Sequence, residues 1–133
     1  MKHTYIYIIM CILLCAFRVE TATDSTFIGT GKATYYAHRF HGKRMSNGEN
    51  YDKNGFTCAH RKLPFGTKLR VVNKVNGKST VVRVTDRGPF GKGKIVDLSY
   101  AAAREIDMIR AGVVNVDVFL YVESDSVESD TIE

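Results

Sequence analysis

The stretch VTDRGPFGKGKIVDLS, residues 84–99, carries most of what the chain discloses about its fold. Val81 and Val82 lead into it and Val84 continues the run, as in a half-buried strand. Asp86 and Arg87 follow at the strand end, against Gly88-Pro89. Proline fixes its own φ and a Gly-Pro pair favours a turn, so the Asp86 carboxylate is presented from a stiffened backbone. Ile95-Val96-Asp97-Leu98 starts a second short apolar strand. Ser99 is then suited to cap a helix through YAAAREIDM, residues 100–108. A carboxylate held still at a strand end serves either local turn capping or chemistry.

Working outward, GKATYYA (31–37) reads as a strand, and residues 38–56, rich in Gly, Asn, His and charge, as a long functional loop. TKLRVVN (67–73) and STVVRVT (79–85) alternate as strands, with Asn76-Gly77 as the hairpin turn between them. VVNVDVFLYV (113–122) closes the pattern. Several strands and one short helix in about ninety residues predict a small, mainly β barrel.

Of the 133 residues, the first do not suit a core. Lys2 precedes an apolar run from Tyr5 to Phe17, and small polar residues follow. The run is too short to span a membrane comfortably and reads as a secretory signal, processed near Ala22. Residues 1–23 are therefore expected as signal peptide, 24–122 as the barrel domain and 123–133 as an acidic tail. Cys15 ends the apolar run and raises lipid attachment as an alternative, although Leu14 before it fits a lipoprotein signal poorly. Cys58 is left alone in the mature domain, which excludes an internal disulfide framework. A small buried hydrophobe suits it better than a nucleophile.

Gly29–Val122 holds 17 Lys/Arg against 7 Asp/Glu, while Glu123–Glu133 holds five acidic residues and no basic ones. The basic domain calls for an anionic partner, and the secretory signal favours cell-wall polymer or membrane surface over nucleic acid. The tail is expected to be disordered. No histidine or cysteine spacing suggests a metal, no cofactor motif is present, and a monomer is expected.

Four pieces stand in order: GKATYYA, FHGKRMSNGENYDKNGFTCAHRKLPFGTKLRVVN, NGKSTVVRVTDRGPF and GKIVDLSYAAAREIDM. Together they resemble the RlpA-like (rare lipoprotein A) domain of septal ring lytic transglycosylases, from about Gly31 to Val122. The likeness does not extend to the C-terminal sporulation-related repeat of many members. The resemblance implies a six-stranded double-psi β-barrel with one or two short helices, a fold shared with expansins and barwin-like proteins. It implies an exported protein of the periplasm or cell envelope acting on peptidoglycan glycan strands. The implied reaction is nonhydrolytic cleavage between N-acetylmuramic acid and N-acetylglucosamine, leaving a 1,6-anhydro end. Some members prefer strands stripped of stem peptides. A non-catalytic, expansin-like wall-loosening module is the alternative, because fold alone does not fix function.

Glycosidic cleavage needs an acid for the leaving oxygen. A hydrolase adds a second carboxylate to attack or to activate water, whereas the muramyl 6-hydroxyl can replace that water. Asp86 is the first candidate as acid/base, on its stiff turn and on the resemblance. Its neighbours Arg83 and Arg87 favour the charged carboxylate, against an acid's need to hold a proton. Glu49, in SNGENYD, is either a second carboxylate, a hydrogen-bonder to sugar or a solvated loop charge. His60 is either an orienting or N-acetyl-binding group or a satisfied core histidine. The resemblance groups Glu49 and His60 in the cleft with Asp86. Tyr35, Tyr36, Phe40 and His41 are candidate sugar contacts, with Arg87 beside them. Adjacent strand residues face opposite ways, so one of the two tyrosines is expected to pack inward. Asp97 is expected to fix the strand-to-helix junction.

Overall fold

The computed structural model describes residues 26–123. The expected signal peptide, the Cys15 anchor and the acidic residues beyond Glu123 lie outside them. Among the described residues, six strands are β1 (Phe27–Tyr35), β2 (Thr57–Ala59), β3 (Lys68–Asn73), β4 (Ser79–Asp86), β5 (Lys94–Leu98) and β6 (Val114–Leu120). They close into one barrel in the order β1-β5-β2-β4-β3-β6, with β6 pairing back onto β1. The pairs β1/β5 and β2/β4 are parallel, and the other four are antiparallel. The architecture is the double-psi β-barrel that the resemblance implied.

Alternation builds the barrel interior. Leu69, Val71 and Asn73 of β3, Thr80, Val82 and Val84 of β4, and Val114, Val116 and Val118 of β6 are buried, while their neighbours along each strand are less so, except Thr85 next to Val84, which is also buried. Each fully buried Val or Leu contributes about 1.5–3 kcal/mol over leaving it in water. Ala102, Ala103, Ile106 and Met108 complete the same cluster. The inward Asn73 is satisfied: its Nδ2 donates to the Ile106 carbonyl at 2.9 Å, and its Oδ1 accepts from the Val75 N–H at 3.0 Å.

The hairpin turn falls as expected, with Gly77 at φ 74° and its N–H on the Asn73 carbonyl at 2.8 Å. The helix α1 (Tyr100–Glu105) starts after Ser99, whose Oγ accepts from the Ala102 N–H at 3.4 Å. It ends before the expected Met108, because Asp107 takes the left-handed conformation at φ 53°, which a right-handed helix cannot contain. β2 was absent from the sequence reading. Three residues show no period, and β2 exists because β4 and β5 flank it. At Gly31 a Cβ would meet Ile95 Cβ at 2.9 Å and the Gly93 carbonyl at 3.1 Å. Only glycine lets β1 lie so close to the turn before β5.

Residues 38–56 are a loop, as expected, but a packed one. A 3-10 turn spans His38–Phe40, and Arg44 bridges to Asn50. Met45 and Tyr51 are buried. The Tyr51 hydroxyl accepts from the Tyr100 N–H at 3.0 Å, and Thr85 Oγ1 donates to Met45 Sδ at 3.2 Å. The loop is thus bolted to β4 and α1.

Candidate active site

Asp86 is the last residue of β4 and accepts four hydrogen bonds. Its Oδ1 takes the Ser46 N–H at 2.9 Å, the Ser46 hydroxyl at 2.6 Å and the Arg87 N–H at 2.9 Å, and its Oδ2 takes the Tyr36 hydroxyl at 2.6 Å. Burial raises its affinity for a proton, but these donors outweigh burial and hold the carboxyl below its ordinary range. The flanking arginines contribute little to this. Arg83 is turned onto Glu49. Arg87 donates to the carbonyls of His60 and Leu63 at 3.1 and 2.8 Å and lies 4.0 Å over the Phe65 ring.

The second carboxyl near Asp86 is one the sequence reading assigned to a structural junction. Ala59 of β2 is in register with Asp86 on one side and with Asp97 of β5 on the other. Two strand spacings put the two aspartate backbones about 10 Å apart across β2. Thr34, paired with Asp97 in the parallel β1/β5 register, donates its hydroxyl to Asp97 Oδ1 at 3.1 Å. Burial pushes the Asp97 carboxyl up, Thr34 and Lys94 pull it back, and the charge of Asp86 pushes it up again, with a net rise. One carboxyl is therefore held down and its neighbour pushed up, and carboxyls shifted in opposite directions suit separate base and acid roles. Both charges also bear on Tyr36, whose hydroxyl is pushed up by burial, by its bond to Asp86 and by both aspartates.

The other predicted residues fall in three groups. Tyr36 lies at the groove on Asp86, with the Phe40 ring 5.9 Å from its own. Tyr35 turns the opposite way, as alternation requires, and its hydroxyl donates to the Ile109 carbonyl at 2.9 Å. His60 adjoins Asp86 through a backbone bond, its N–H on the Asp86 carbonyl at 3.1 Å. Its Nδ1 accepts from the N–H groups of Lys62 and Leu63, both at 3.2 Å. Burial, then Arg87 and Arg61, lower its proton affinity. His60 is thus a neutral imidazole with Nε2–H as its free donor. Glu49 is exposed and paired with Arg83 at 2.9 and 3.2 Å, and that pairing holds its carboxyl down. His41 is exposed, and its Nδ1 accepts from the Lys53 N–H at 3.1 Å. Glu49 and His41 have no hydrogen bond to Asp86 or Asp97. Cys58 is fully buried in β2 and burial pushes its thiol up, so it is inert.

Sequence reasoning did not single out Ser46, and it gave Asp97 a structural role rather than a place beside Asp86. Ser46 looks like any polar loop residue, and only the docked Met45 brings it to β4. A signal for Asp97 did exist: in IVDL, Val96 and Leu98 share one face, which leaves Asp97 on the other, against the polar Thr34 of β1. Among the described residues no three His, Cys, Asp or Glu side chains could hold a metal ion. No helix among them is long and apolar enough to cross a membrane.

The closed six-stranded barrel is a double-psi β-barrel domain, with two aspartates on the strands that flank β2. The chain belongs to the lytic transglycolase family, whose pattern it matches over residues 28–118. It is 54% identical over 90 residues to the endolytic peptidoglycan transglycosylase RlpA of Vibrio cholerae, covering 68% of this chain and 34% of that one. It is 48% identical over 92 residues to the protein of that name from Neisseria meningitidis, covering 69% of this chain and 38% of that one. The chain thus spans about a third of the length of these curated relatives. Among solved structures, an apo expansin of Clavibacter michiganensis superposes with TM-score 0.56 at 19% identity over 71% of this chain and 50% of that one, a likeness of fold alone. A Streptomyces papain inhibitor does so with TM-score 0.56 at 25% identity, over 74% of this chain and 99% of that one.

Proposed function

We propose that this protein is an endolytic transglycosylase of the cell envelope that cleaves the β-1,4 bond between N-acetylmuramic acid and N-acetylglucosamine in peptidoglycan glycan strands. The observation that carries the reading is the pair Asp86 and Asp97, flanking Ala59 and shifted in opposite directions. Relatives with this activity in their names support the substrate class.

Protonated Asp97 gives its proton to the glycosidic oxygen, so the leaving sugar departs as a neutral alcohol. Ionised Asp86 takes the proton of the muramyl 6-hydroxyl, and that oxygen closes on the anomeric carbon. One C–O bond breaks and one forms, no water is consumed, and the proton gained by Asp86 returns to Asp97 through solvent. The original assignment of both acid and base roles to Asp86 thereby becomes a division between two residues. Ser46 and Tyr36 hold the base in place. Neutral His60 offers Nε2–H to a sugar oxygen, and Tyr36 and Phe40 offer ring faces to the weakly apolar side of a sugar. Arg87 supports the site by bracing the His60–Leu63 loop. Glu49, locked on Arg83, acts in this scheme as a polar rim to the groove. The envelope location agrees with the export signal expected in residues 1–23.

The test is incubation of the protein with peptide-free glycan strands, followed by mass spectrometry of the ends. New 1,6-anhydro ends from the wild type, and none from folded Asp97→Asn, are expected. Anhydro ends produced at the wild-type rate by Asp97→Asn would remove it from the chemistry. Binding of strands without any cleavage would favour the expansin-like alternative.

A further inference from the structure

A cleft of about 190 Å³ is lined by His60, Arg61, Lys62, Lys94 and Ile95, and His60 is bonded through its backbone N–H to the Asp86 carbonyl. Three of its five lining residues are basic. None of the three forms an ion pair with a carboxylate among the described residues, whereas Lys68, Lys74, Lys78 and Arg83 each do. Arg61 is fixed: its Nε donates to the Pro89 carbonyl, and its Nη2 to the carbonyls of Gly91 and Lys94. Three of the five guanidinium N–H groups are thereby used, which leaves the Nη1 pair. Lys94 links cleft and groove, because its charge also acts on Asp97. The cleft is thus walled mainly by apolar side-chain surface and rimmed by three basic residues that form no ion pair among the described residues.

We propose that this cleft is a carboxylate-binding subsite, which holds a carboxylate of the glycan substrate next to the bond that is cut. The proposal rests on the function above. A muramyl residue bears a lactyl ether on its ring, and the lactyl carboxylate is free when no stem peptide is attached. When a peptide is attached, the lactyl carboxylate becomes an amide and the nearest carboxylates move outward onto the peptide. Arg61 supplies a rigid wall, and Lys62 and Lys94 supply flexible ammonium groups that suit a point charge.

The experiment measures equilibrium binding of the full chain to three substrates. These are peptide-free strands, the same strands with lactyl carboxylates converted to methylamides, and strands with stem peptides. The comparison is between wild type and Lys62→Gln/Lys94→Gln. A second double variant, Lys74→Gln/Lys78→Gln, removes the same charge from the hairpin at the far end of β4. The cleft variant is expected to bind carboxylate-bearing strands about fivefold more weakly than wild type and amidated strands equally well, which also shows that it is folded. The hairpin variant is expected to leave that difference intact. A loss confined to peptide-free strands identifies the lactyl group as the ligand, and a loss confined to peptide-bearing strands identifies the peptide carboxylates. Equal weakening on amidated and carboxylate-bearing strands, or the same loss in the hairpin variant, overturns the subsite. Because the readout is binding, a difference that persists in a protein yielding no 1,6-anhydro ends would sink the proposed function and keep the subsite.

Discussion

Asp86 and Asp97 are the same residue type with opposite electrostatic fates, and the cause is visible in their donors. Asp86 has four hydrogen-bond donors, whereas Asp97 has burial and the charge of Asp86 against one hydroxyl and Lys94. The stability linkage therefore has two signs. Asp86, depressed in the fold, stabilises above its unfolded pKa, and that contribution is lost as pH falls through its folded value. Asp97, raised in the fold, contributes below its unfolded pKa, and that is lost as pH rises through its folded value. Asp97→Asn is accordingly expected to be more stable than wild type at neutral pH while losing cleavage. Asp86→Asn should cost about 1–2 kcal/mol, allowing for its partial exposure, and also lose cleavage. Thermal melts of both variants at neutral pH check this, and a destabilised Asp97→Asn would return that residue to the structural role first assigned to it. The rate should rise as pH falls through the folded pKa of Asp97, above the ordinary carboxylate range. A profile that instead climbs with pH over that range would contradict a protonated Asp97. The carboxylate at 86 was legible from its strand-end turn. Its state was not, because three of its four donors come from Tyr36 and Ser46, 40 or more positions away in sequence.

At the scale of elements, the site depends on two docking events far from the chemistry. The first is the approach of β1 to β5, which sets Thr34 against Asp97 and requires no side chain at Gly31. Gly31→Val is expected to destabilise the fold by about 1–3 kcal/mol and to slow cleavage, as denaturant melts and product assays would show. An unchanged midpoint would mean that β5 yields more easily than the 3.1 Å approach to the Gly93 carbonyl suggests. The second is the seating of Met45 under the loop. Met45→Ala should cost about 2–4 kcal/mol and reduce turnover by releasing Ser46 from Asp86; full turnover in the folded variant would show that Ser46 needs no such anchor. Five strands, the hairpin and the helix were legible because each carries a period or a turn signal. β2 and the packing of residues 38–56 were not, because both are decided by partners distant in sequence.

For the whole molecule, charge separates holding from cutting. On the proposed function, the surplus of basic residues between Gly29 and Val122 meets a polymer that bears carboxylates, and exposed charges are screened with a Debye length of about 8 Å at physiological ionic strength. Binding to purified sacculi should weaken steeply from low salt to about half-molar salt, and removal of residues 123–133, with their five acidic side chains, should strengthen it at low salt. Pull-downs across a salt series test both, and salt-independent binding would make the charge incidental. Basic character was plain in the composition; that Arg61, Lys62 and Lys94 meet at one cleft emerged only when the loops were folded. The central claim is that the two aspartates cut the strand without water. It is tested most directly by running the cleavage in heavy-oxygen water and weighing the new ends. The account predicts 1,6-anhydro ends, one water lighter than reducing ends and free of the label. Reducing ends carrying heavy oxygen would identify a hydrolase and contradict it.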